Sequence, residues 1–271
     1  MPIYSAIVSD TPGSTAILSG SVRENFRRAS EAGYDAVQLT ICKASDYDLS
    51  EVLSLMKEFR LSVSALATGR VYMVDGLSMG SDQEGNRSAC VRRMCELADF
   101  CAAVGGAGLV VGAVRGLFRD AASPEAYYAA FDRSLREICA YCEPIGVPVM
   151  LESDDHLEAD AYCDPAETLS YVRAIGSPVL HMYLDIFHLV NEGMEPVSVI
   201  REYGRSSWQI DISGEKRLSP VESSLNFREI LQAVRDSGFE GVFAFEIPEA
   251  PPEDSAVKSL AYVKKIYEEL V

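Results

Sequence analysis

The sequence predicts an α/β fold, a single (β/α)8 barrel that spans residues 1–271. Eight short apolar runs alternate with eight helical segments, a pattern typical of parallel strands joined by right-handed helical crossovers. The length of 271 residues suits one barrel of roughly 250 residues. No Gly-x-Gly-x-x-Gly motif follows the first strand, and no linker divides the chain. The sequence therefore favours a closed barrel over an open dinucleotide-binding sheet.

The boundaries of these segments follow from turn and cap signals. Gly33 ends the first helix, and Ser123-Pro124 and Asp164-Pro165 each supply an N-cap followed by proline at the first helical position. The predicted strands are residues 3–8, 35–39, 61–66, 108–112, 147–152, 179–185, 207–211 and 241–246. The predicted helices are residues 22–32, 48–60, 84–104, 124–143, a helix from 165, a short region around 193–196, 226–236 and 252–270.

Composition narrows the class of partner and the compartment. The chain has 41 acidic and 24 basic residues, a net charge of −17, which argues against nucleic acid and against an anionic membrane surface. We see neither a signal peptide nor an apolar run of about 20 residues. The seven cysteines indicate reduced thiols of a cytoplasmic protein. Cys139-x-x-Cys142 has redox spacing, but it lies inside a predicted helix, which favours a structural role.

The last four predicted strands each end in a carboxylate. Because such a group is poorly solvated, it needs a cation, a proton or several donors. The carboxyl ends of barrel strands face one pocket, so four of these acids would meet and repel one another. A divalent cation relieves that repulsion, and oxygen ligands favour Mg²⁺ or Mn²⁺ over zinc. Any one of these acids could instead cap a helix or form a salt bridge and bind no metal. The four acids are Glu152, Asp185, Asp211 and Glu246.

The order and spacing of short motifs resemble those of a known superfamily. Residues 32–38, AGYDAVQ, resemble its "aGydgvE" strand, and residues 105–116 match its middle. The second half matches at Glu152 with Glu158, at Leu184-Asp185-x-x-His188, near Arg217 and at Phe245-Glu246. The chain resembles the sugar isomerase/epimerase superfamily of xylose isomerase-like TIM barrels. It is closest in pattern to ketose 3-epimerases, such as D-tagatose and D-psicose 3-epimerase.

This resemblance implies a divalent-metal-dependent isomerase or epimerase that removes a proton next to a monosaccharide carbonyl through a cis-enediolate. The implied acid/base pair is Glu152 and Glu246. Family members have a histidine where this chain has Asp211, so Asp211 or, less favoured, Gln209 is the expected fourth ligand. The expected cation is Mn²⁺ or Mg²⁺, with Zn²⁺ and Co²⁺ as alternatives. The expected oligomer is a homodimer or a homotetramer. The implied metal ligands are Glu152, Asp185, Asp211 and Glu246, and the implied substrate-binding residues are His188, Arg217 and Glu158.

Other interpretations of the same residues stay open at this point. His188 is also readable as a helix-start residue, Arg217 as a solvated loop charge, and Trp208 as a core residue. Because Asp211 replaces the family histidine, the chain could also be a barrel that binds a sugar or a protein and catalyses no reaction. A lyase of the inosose dehydratase type, which has the same barrel and the same set of metal ligands, is a further alternative. An apurinic endonuclease is disfavoured, because those enzymes use histidine-rich zinc clusters and this chain has three histidines. The sugar, its phosphorylation and the choice between epimerisation and aldose–ketose isomerisation are not predicted.

Overall fold

The computed structural model describes residues 2–11, 14–248 and 252–270, and its strands follow the predicted alternation closely. In the sheet, the order is β2-β1-β3-β4-β5-β6-β7-β8-β9, and β1 also pairs with β9. Eight strands therefore close into a ring, which confirms the predicted (β/α)8 barrel; the two-residue β2 is an addition that was not predicted. The strands are β1 Ile3–Ser9, β2 Leu18–Ser19, β3 Ala36–Thr40, β4 Ser62–Ala67, β5 Gly108–Val111, β6 Val149–Ser153, β7 Leu180–Asp185, β8 Ser207–Ile212 and β9 Val242–Phe245.

The helices begin and end at the expected signals. Ser21 caps the first helix by accepting from the Glu24 N–H, and Gly33 ends it in the left-handed region at φ 90°. The caps at Ser123 and Asp164 are both followed by proline. The helices are α1 Val22–Ala32, α2 Leu49–Phe59, α3 Gly69–Met73, α4 Glu84–Ala103, α5 Pro124–Cys142, α6 Pro165–Ile175, α7 Ile186–Asn191, α8 Pro196–Tyr203, α9 Phe227–Ser237 and α10 Pro252–Glu269.

The chain divides into two compact units, each with its own packing. Unit 1 comprises Met1–Leu39, Leu53–Ser64 and Tyr183–Val271, and unit 2 comprises Thr40–Val52 and Ala65–Met182. In unit 1, the Phe243 ring stacks on Phe239 with centroids 5.4 Å apart, and α9 packs against α8 and α10. In unit 2, α4 packs against α5, and the Tyr162 and Tyr171 rings stack at 4.5 Å. A single domain over residues 1–271 stays a prediction.

The structure also tests the predictions for the cysteines, for Trp208 and for membrane spans. None of the seven cysteines forms a disulfide. Cys139 and Cys142 are buried in α5, and burial raises their pKa to about 11 and about 12, so neither forms a reactive thiolate near neutral pH. Trp208 was expected in the core, but it is 37% exposed, and it is the one exposed residue of β8. Among the described residues, no helix has the length and apolarity that a membrane span requires.

Candidate active site

Three of the four predicted acids converge in unit 1. Asp185 is the last residue of β7, Asp211 is the second-last residue of β8, and Glu246 directly follows β9. One carboxylate oxygen from each of the three lies within 4.8 Å of the others. Asp185 and Asp211 are buried, and Glu246 is partly exposed. Parallel strands that end side by side thus bring three negative charges to one place, as the sequence predicted.

The two carboxylate oxygens of Asp185 contact different groups. Its Oδ1 caps α7 by accepting from the Phe187 N–H at 2.8 Å, which gives that oxygen a structural role. Its Oδ2 lies 2.8 Å from Nη1 of Arg217 and 3.6 Å from Nε2 of His188. The second oxygen therefore faces the cationic and polar groups of the site.

Arg217 lies among the acids. Its Nη1 is 2.8 Å from Oδ2 of Asp185 and 2.9 Å from Oε2 of Glu246, and its guanidinium lies 4.2 Å from the centre of the Phe187 ring. Its Nη2 is 3.3 Å from Nε2 of His188. Arg217 is buried, so the reading as a solvated loop charge is wrong. His188 lies in the first turn of α7, which agrees with its interpretation as a helix-start residue. It also contacts Arg217 in the site.

The loop that carries Arg217 is held in a restricted conformation. Lys216 and Arg217 have φ of 56° and 54°, in the left-handed region that non-glycine residues seldom adopt. The Gly214 N–H donates to the Leu218 carbonyl at 2.7 Å. Burial opposes ionisation of Glu215, but hydrogen bonds from Ser223 and the Ser224 N–H outweigh it and lower the Glu215 pKa. These contacts fix the loop, and with it the position of the guanidinium.

The hydrogen bonds that Thr15 and Gln209 donate to the acids were not predicted. Thr15, in the loop between β1 and β2, donates its hydroxyl to Oε1 of Glu246 at 2.6 Å. Gln209 donates Nε2 to Oδ1 of Asp211 at 2.5 Å and to Oε1 of Gln38 at 3.0 Å. Gln209 was the alternative to Asp211 as a metal ligand, and the structure places it as a hydrogen-bond donor to Asp211.

In unit 2, Glu152 lies in β6 and is buried. Its carboxylate packs over Gly112, where a Cβ would come within 2.3 Å of Oε2 of Glu152, so a larger residue here would displace that carboxylate. The loop after β6 is held by Asp155, whose Oδ1 accepts from the backbone N–H groups of Leu157 and Glu158 at 2.8 and 3.2 Å. Glu158 itself is exposed on that loop.

A fully buried arginine supports the Glu152 strand end. Arg115 donates to the carbonyls of Glu152, Ala161 and two residues at the end of β5, and its Nη2 lies 3.0 Å from Oδ2 of Asp154. The contact to the Glu152 carbonyl is the shortest, at 2.6 Å. Arg115 was not predicted, because most of its partners are backbone carbonyls, which carry no signal in the sequence.

Arg115→Met is expected to destabilise the protein by about 3–5 kcal/mol, because it removes a buried ion pair and the hydrogen bonds to several carbonyls. Urea unfolding measures this loss. Arg136→Met is the matched control, since Arg136 is a half-exposed arginine paired with Asp132 within α5. It should leave the free energy of unfolding nearly unchanged. Equal losses in the two variants would contradict the role given to Arg115.

Comparison with known proteins places the chain in a family. Residues 26–266 match the family described as Xylose isomerase-like TIM barrel. The chain belongs to this family. A ketose 3-epimerase of Arthrobacter globiformis is 22% identical over 238 residues, which are 83% of this chain and 77% of that protein. A D-psicose 3-epimerase of Enterocloster bolteae is 30% identical over 114 residues, 42% of this chain and only 38% of that protein.

A solved structure agrees with the family assignment. The crystal structure of D-allulose 3-epimerase from Methylomonas sp. in complex with D-allulose superimposes with a TM-score of 0.80 at 17% identity. The match covers 98% of this chain and 97% of that protein. This likeness shows that the chain has the xylose isomerase-like barrel fold.

The acids of this xylose isomerase-like barrel suit a hard divalent cation. In unit 1, Asp185, Asp211 and Glu246 offer carboxylate oxygens, the donors that Mg²⁺ and Mn²⁺ prefer. The Arg217 guanidinium contacts two of these acids, so the structure itself places a positive charge at the cluster. One guanidinium against three carboxylates leaves negative charge uncompensated, and a divalent ion would supply the balance.

Proposed function

We propose that this protein is a divalent-metal-dependent sugar epimerase or isomerase of the ketose 3-epimerase type. It would remove a proton next to the carbonyl of a monosaccharide and return one through a cis-enediolate. The convergence of Asp185, Asp211 and Glu246, two of which contact the Arg217 guanidinium, is the observation that carries this proposal. The relatives support it, because their names describe 3-epimerases of ketoses and one was solved with a sugar.

Glu152 is the proposed fourth ligand. It lies one residue before the end of β6, just as the other three acids lie at or beside the ends of β7, β8 and β9. The four acids come from β6, β7, β8 and β9, which are consecutive in the sheet order. Because all donors are oxygens, we propose Mn²⁺ or Mg²⁺ as the ion, with Zn²⁺ and Co²⁺ as weaker alternatives.

We propose a role for each of these side chains. A bound divalent cation would polarise the sugar carbonyl and balance the charge that develops as the proton leaves. Glu246 and Glu152 are the proposed base and acid, and they lie on strands separated by two others in the sheet order. Arg217 and His188 would donate to sugar oxygens, and Glu158 would accept from a sugar hydroxyl. Thr15 orients the Glu246 carboxylate through its hydroxyl.

Solvent exchange tests the proposal without knowledge of the natural sugar. Protein stripped with a chelator is given Mn²⁺ or Mg²⁺ in D₂O with a panel of ketoses and aldoses, and NMR follows the hydrogen next to the carbonyl. Deuterium should enter at that carbon only when the metal is present. Sugar binding without exchange would instead support the sugar-binding alternative, and loss of a substituent from the sugar would support a lyase.

Asp211→His is expected to shift the metal preference from Mn²⁺ towards Zn²⁺. Imidazole suits zinc better than a carboxylate does, and zinc binds more tightly than Mn²⁺ to nitrogen ligands in general. We expect the ratio of the Mn²⁺ Kd to the Zn²⁺ Kd to rise roughly tenfold or more. Competition titration measures it. Asp211→Asn is the control, since it keeps an oxygen ligand and should weaken both ions together. An unchanged ratio in Asp211→His would remove Asp211 from the ligand set.

A further inference from the structure

A cavity of about 420 Å³ lies within unit 1, where the strands β1, β8 and β9 begin. Its lining includes the first residue of each strand, Ile3, Ser207 and Val242. Asp211 and Glu246 lie at the other ends of β8 and β9, about 10 Å or more further along these strands. Barrels of this kind carry out their chemistry at the carboxyl ends of the strands. The cavity is therefore separate from the acid cluster.

Trp208 forms an aromatic wall of this cavity. Gln209 on β8 donates to Gln38 on β3, and because these strands are not neighbours in the sheet, the hydrogen bond crosses the barrel interior. Successive side chains of a strand point to opposite faces, so Trp208 lies on the outer face of β8. Ile3 lines the same cavity and is 44% exposed. An indole and an aliphatic side chain thus offer an apolar surface beside the start of the sheet.

The backbone of β8 and β9 gives the cavity a defined shape. Gly241 lies against β8, where a Cβ would come within 2.1 Å of the Trp208 carbonyl oxygen and 2.8 Å of the Phe239 ring. The Gly241 carbonyl also accepts from the Ile3 N–H at 3.2 Å. Gly238, another lining residue, ends α9 in the left-handed region at φ 75°. Hydrogen-bonded strands and a helix end form this wall, so the cavity is preformed.

Two exposed charges of opposite sign also line the cavity, Arg205 and Glu240. A guanidinium only donates hydrogen bonds and a carboxylate only accepts them, whereas a hydroxyl does both. A neutral ligand that carries several hydroxyls is therefore compatible with both groups. Glu240 would repel an anion and Arg205 would repel a cation. The net charge of −17 disfavours an anion further.

We propose that this cavity is a second carbohydrate site, which binds a neutral mono- or disaccharide. The carbon-bound hydrogens of a sugar ring form an apolar face, which would pack on the indole of Trp208 and on Ile3. The sugar hydroxyls would accept from Arg205. The volume of about 420 Å³ falls within the range of about 300–1,000 Å³ for small-molecule sites. Among the described residues that line the cavity, Glu240 is the one carboxylate, so the site lacks an acid/base pair and binds sugar without converting it.

Tryptophan fluorescence reports on this cavity alone, because Trp208 is the single tryptophan of the chain. Protein stripped of metal by a chelator is titrated with D-glucose, D-fructose and sucrose. At least one of these sugars should change the emission saturably, with a Kd on the order of 1 mM. D-fructose 6-phosphate should bind more weakly than D-fructose. No saturable change with any of the three sugars would overturn the proposal, and tighter binding of the phosphate ester or of L-phenylalanine would overturn the ligand class.

A pair of arginine variants makes the result specific. Arg205→Met removes a charged donor from the cavity and should raise the sugar Kd about threefold to tenfold. Arg201→Met is the matched control, because Arg201 is an exposed arginine in the last turn of α8 and does not line the cavity. It should leave the Kd unchanged. Thermal unfolding checks that both variants are folded, and the same Kd in wild-type protein and in Arg205→Met would overturn the proposal.

This proposal and the proposed function fail independently. An emission change that occurs only with Mn²⁺ present would place the sugar among the acids and overturn the second site. Emission that changes with protein concentration, without sugar, would show that a second copy of the chain covers the cavity, which also overturns it. Deuterium exchange next to the carbonyl tests the proposed function alone. Sugar binding at Trp208 without any exchange would leave the second site standing, and exchange without binding at Trp208 would leave the epimerase standing.

Discussion

Asp185→Asn is expected to weaken Mn²⁺ binding at least ~100-fold while the fold is preserved, by analogy with the large losses seen when groups around a metal are altered. Asp185 is fully buried, and its Oδ2 faces the site, where it contacts Arg217. The amide removes one negative charge from the ligand set, and it leaves the Arg217 guanidinium without one of its two carboxylate partners. The fold should survive because Asn caps a helix about as well as Asp does, and Oδ1 caps α7.

Calorimetric titration with Mn²⁺ measures this effect, and the chain offers a close control. Asp164 caps α6 in the same way, with Oδ1 accepting from the N–H groups of Ala166 and Glu167. It lies outside the acid cluster. Asp164→Asn makes the same chemical change at a helix N-cap and should leave the Mn²⁺ Kd unchanged. A wild-type Mn²⁺ affinity in Asp185→Asn would remove Asp185 from the ligand set.

Glu246→Gln is expected to slow deuterium exchange next to the sugar carbonyl about 10²–10⁴-fold, the usual contribution of a positioned general base. The amide has nearly the same shape and can still accept from the Thr15 hydroxyl, but it cannot take a proton. It also loses the charge that faces Arg217. The fold should be intact because Glu246 follows β9 in a partly exposed position.

The rate is measured by NMR in D₂O at saturating metal, with the Mn²⁺ Kd determined in parallel. The parallel titration distinguishes loss of the general base from loss of a metal ligand. Extra metal restores the exchange rate if only metal binding is weakened, and it does not restore the rate if the base is missing. Glu240→Gln is the control, because Glu240 is an exposed glutamate that precedes the same strand. It should exchange at the wild-type rate. Exchange at that rate in Glu246→Gln would remove Glu246 from the proton transfer.

The strand ends could be predicted from the sequence because they combine two local signals, an apolar run and a terminal acid. Asp185, for example, closes β7 at the predicted residue, and Glu246 directly follows β9. The closure of the barrel was also predictable, since it depends only on the number and alternation of the elements. The short strand β2 was missed because two residues carry no measurable alternation.

The residues that hold the acids in place could not be predicted in this way. Thr15 is 231 positions from Glu246, and Gln38 is 171 positions from Gln209, so no spacing rule links the partners. Arg115 mostly serves backbone carbonyls, which every residue possesses. Even the motif that placed Arg217 gave no sign of its left-handed backbone, which depends on the hydrogen bonds of the surrounding loop.

The central claim is that the acids at the ends of β6, β7, β8 and β9 share one divalent ion. Crystals soaked in Mn²⁺ and measured at the manganese absorption edge test it directly, since the anomalous map locates the ion itself. We expect one strong peak per chain, in contact with carboxylate oxygens of Glu152, Asp185, Asp211 and Glu246. A map with no peak among these four side chains, at a Mn²⁺ concentration that restores exchange, would contradict it.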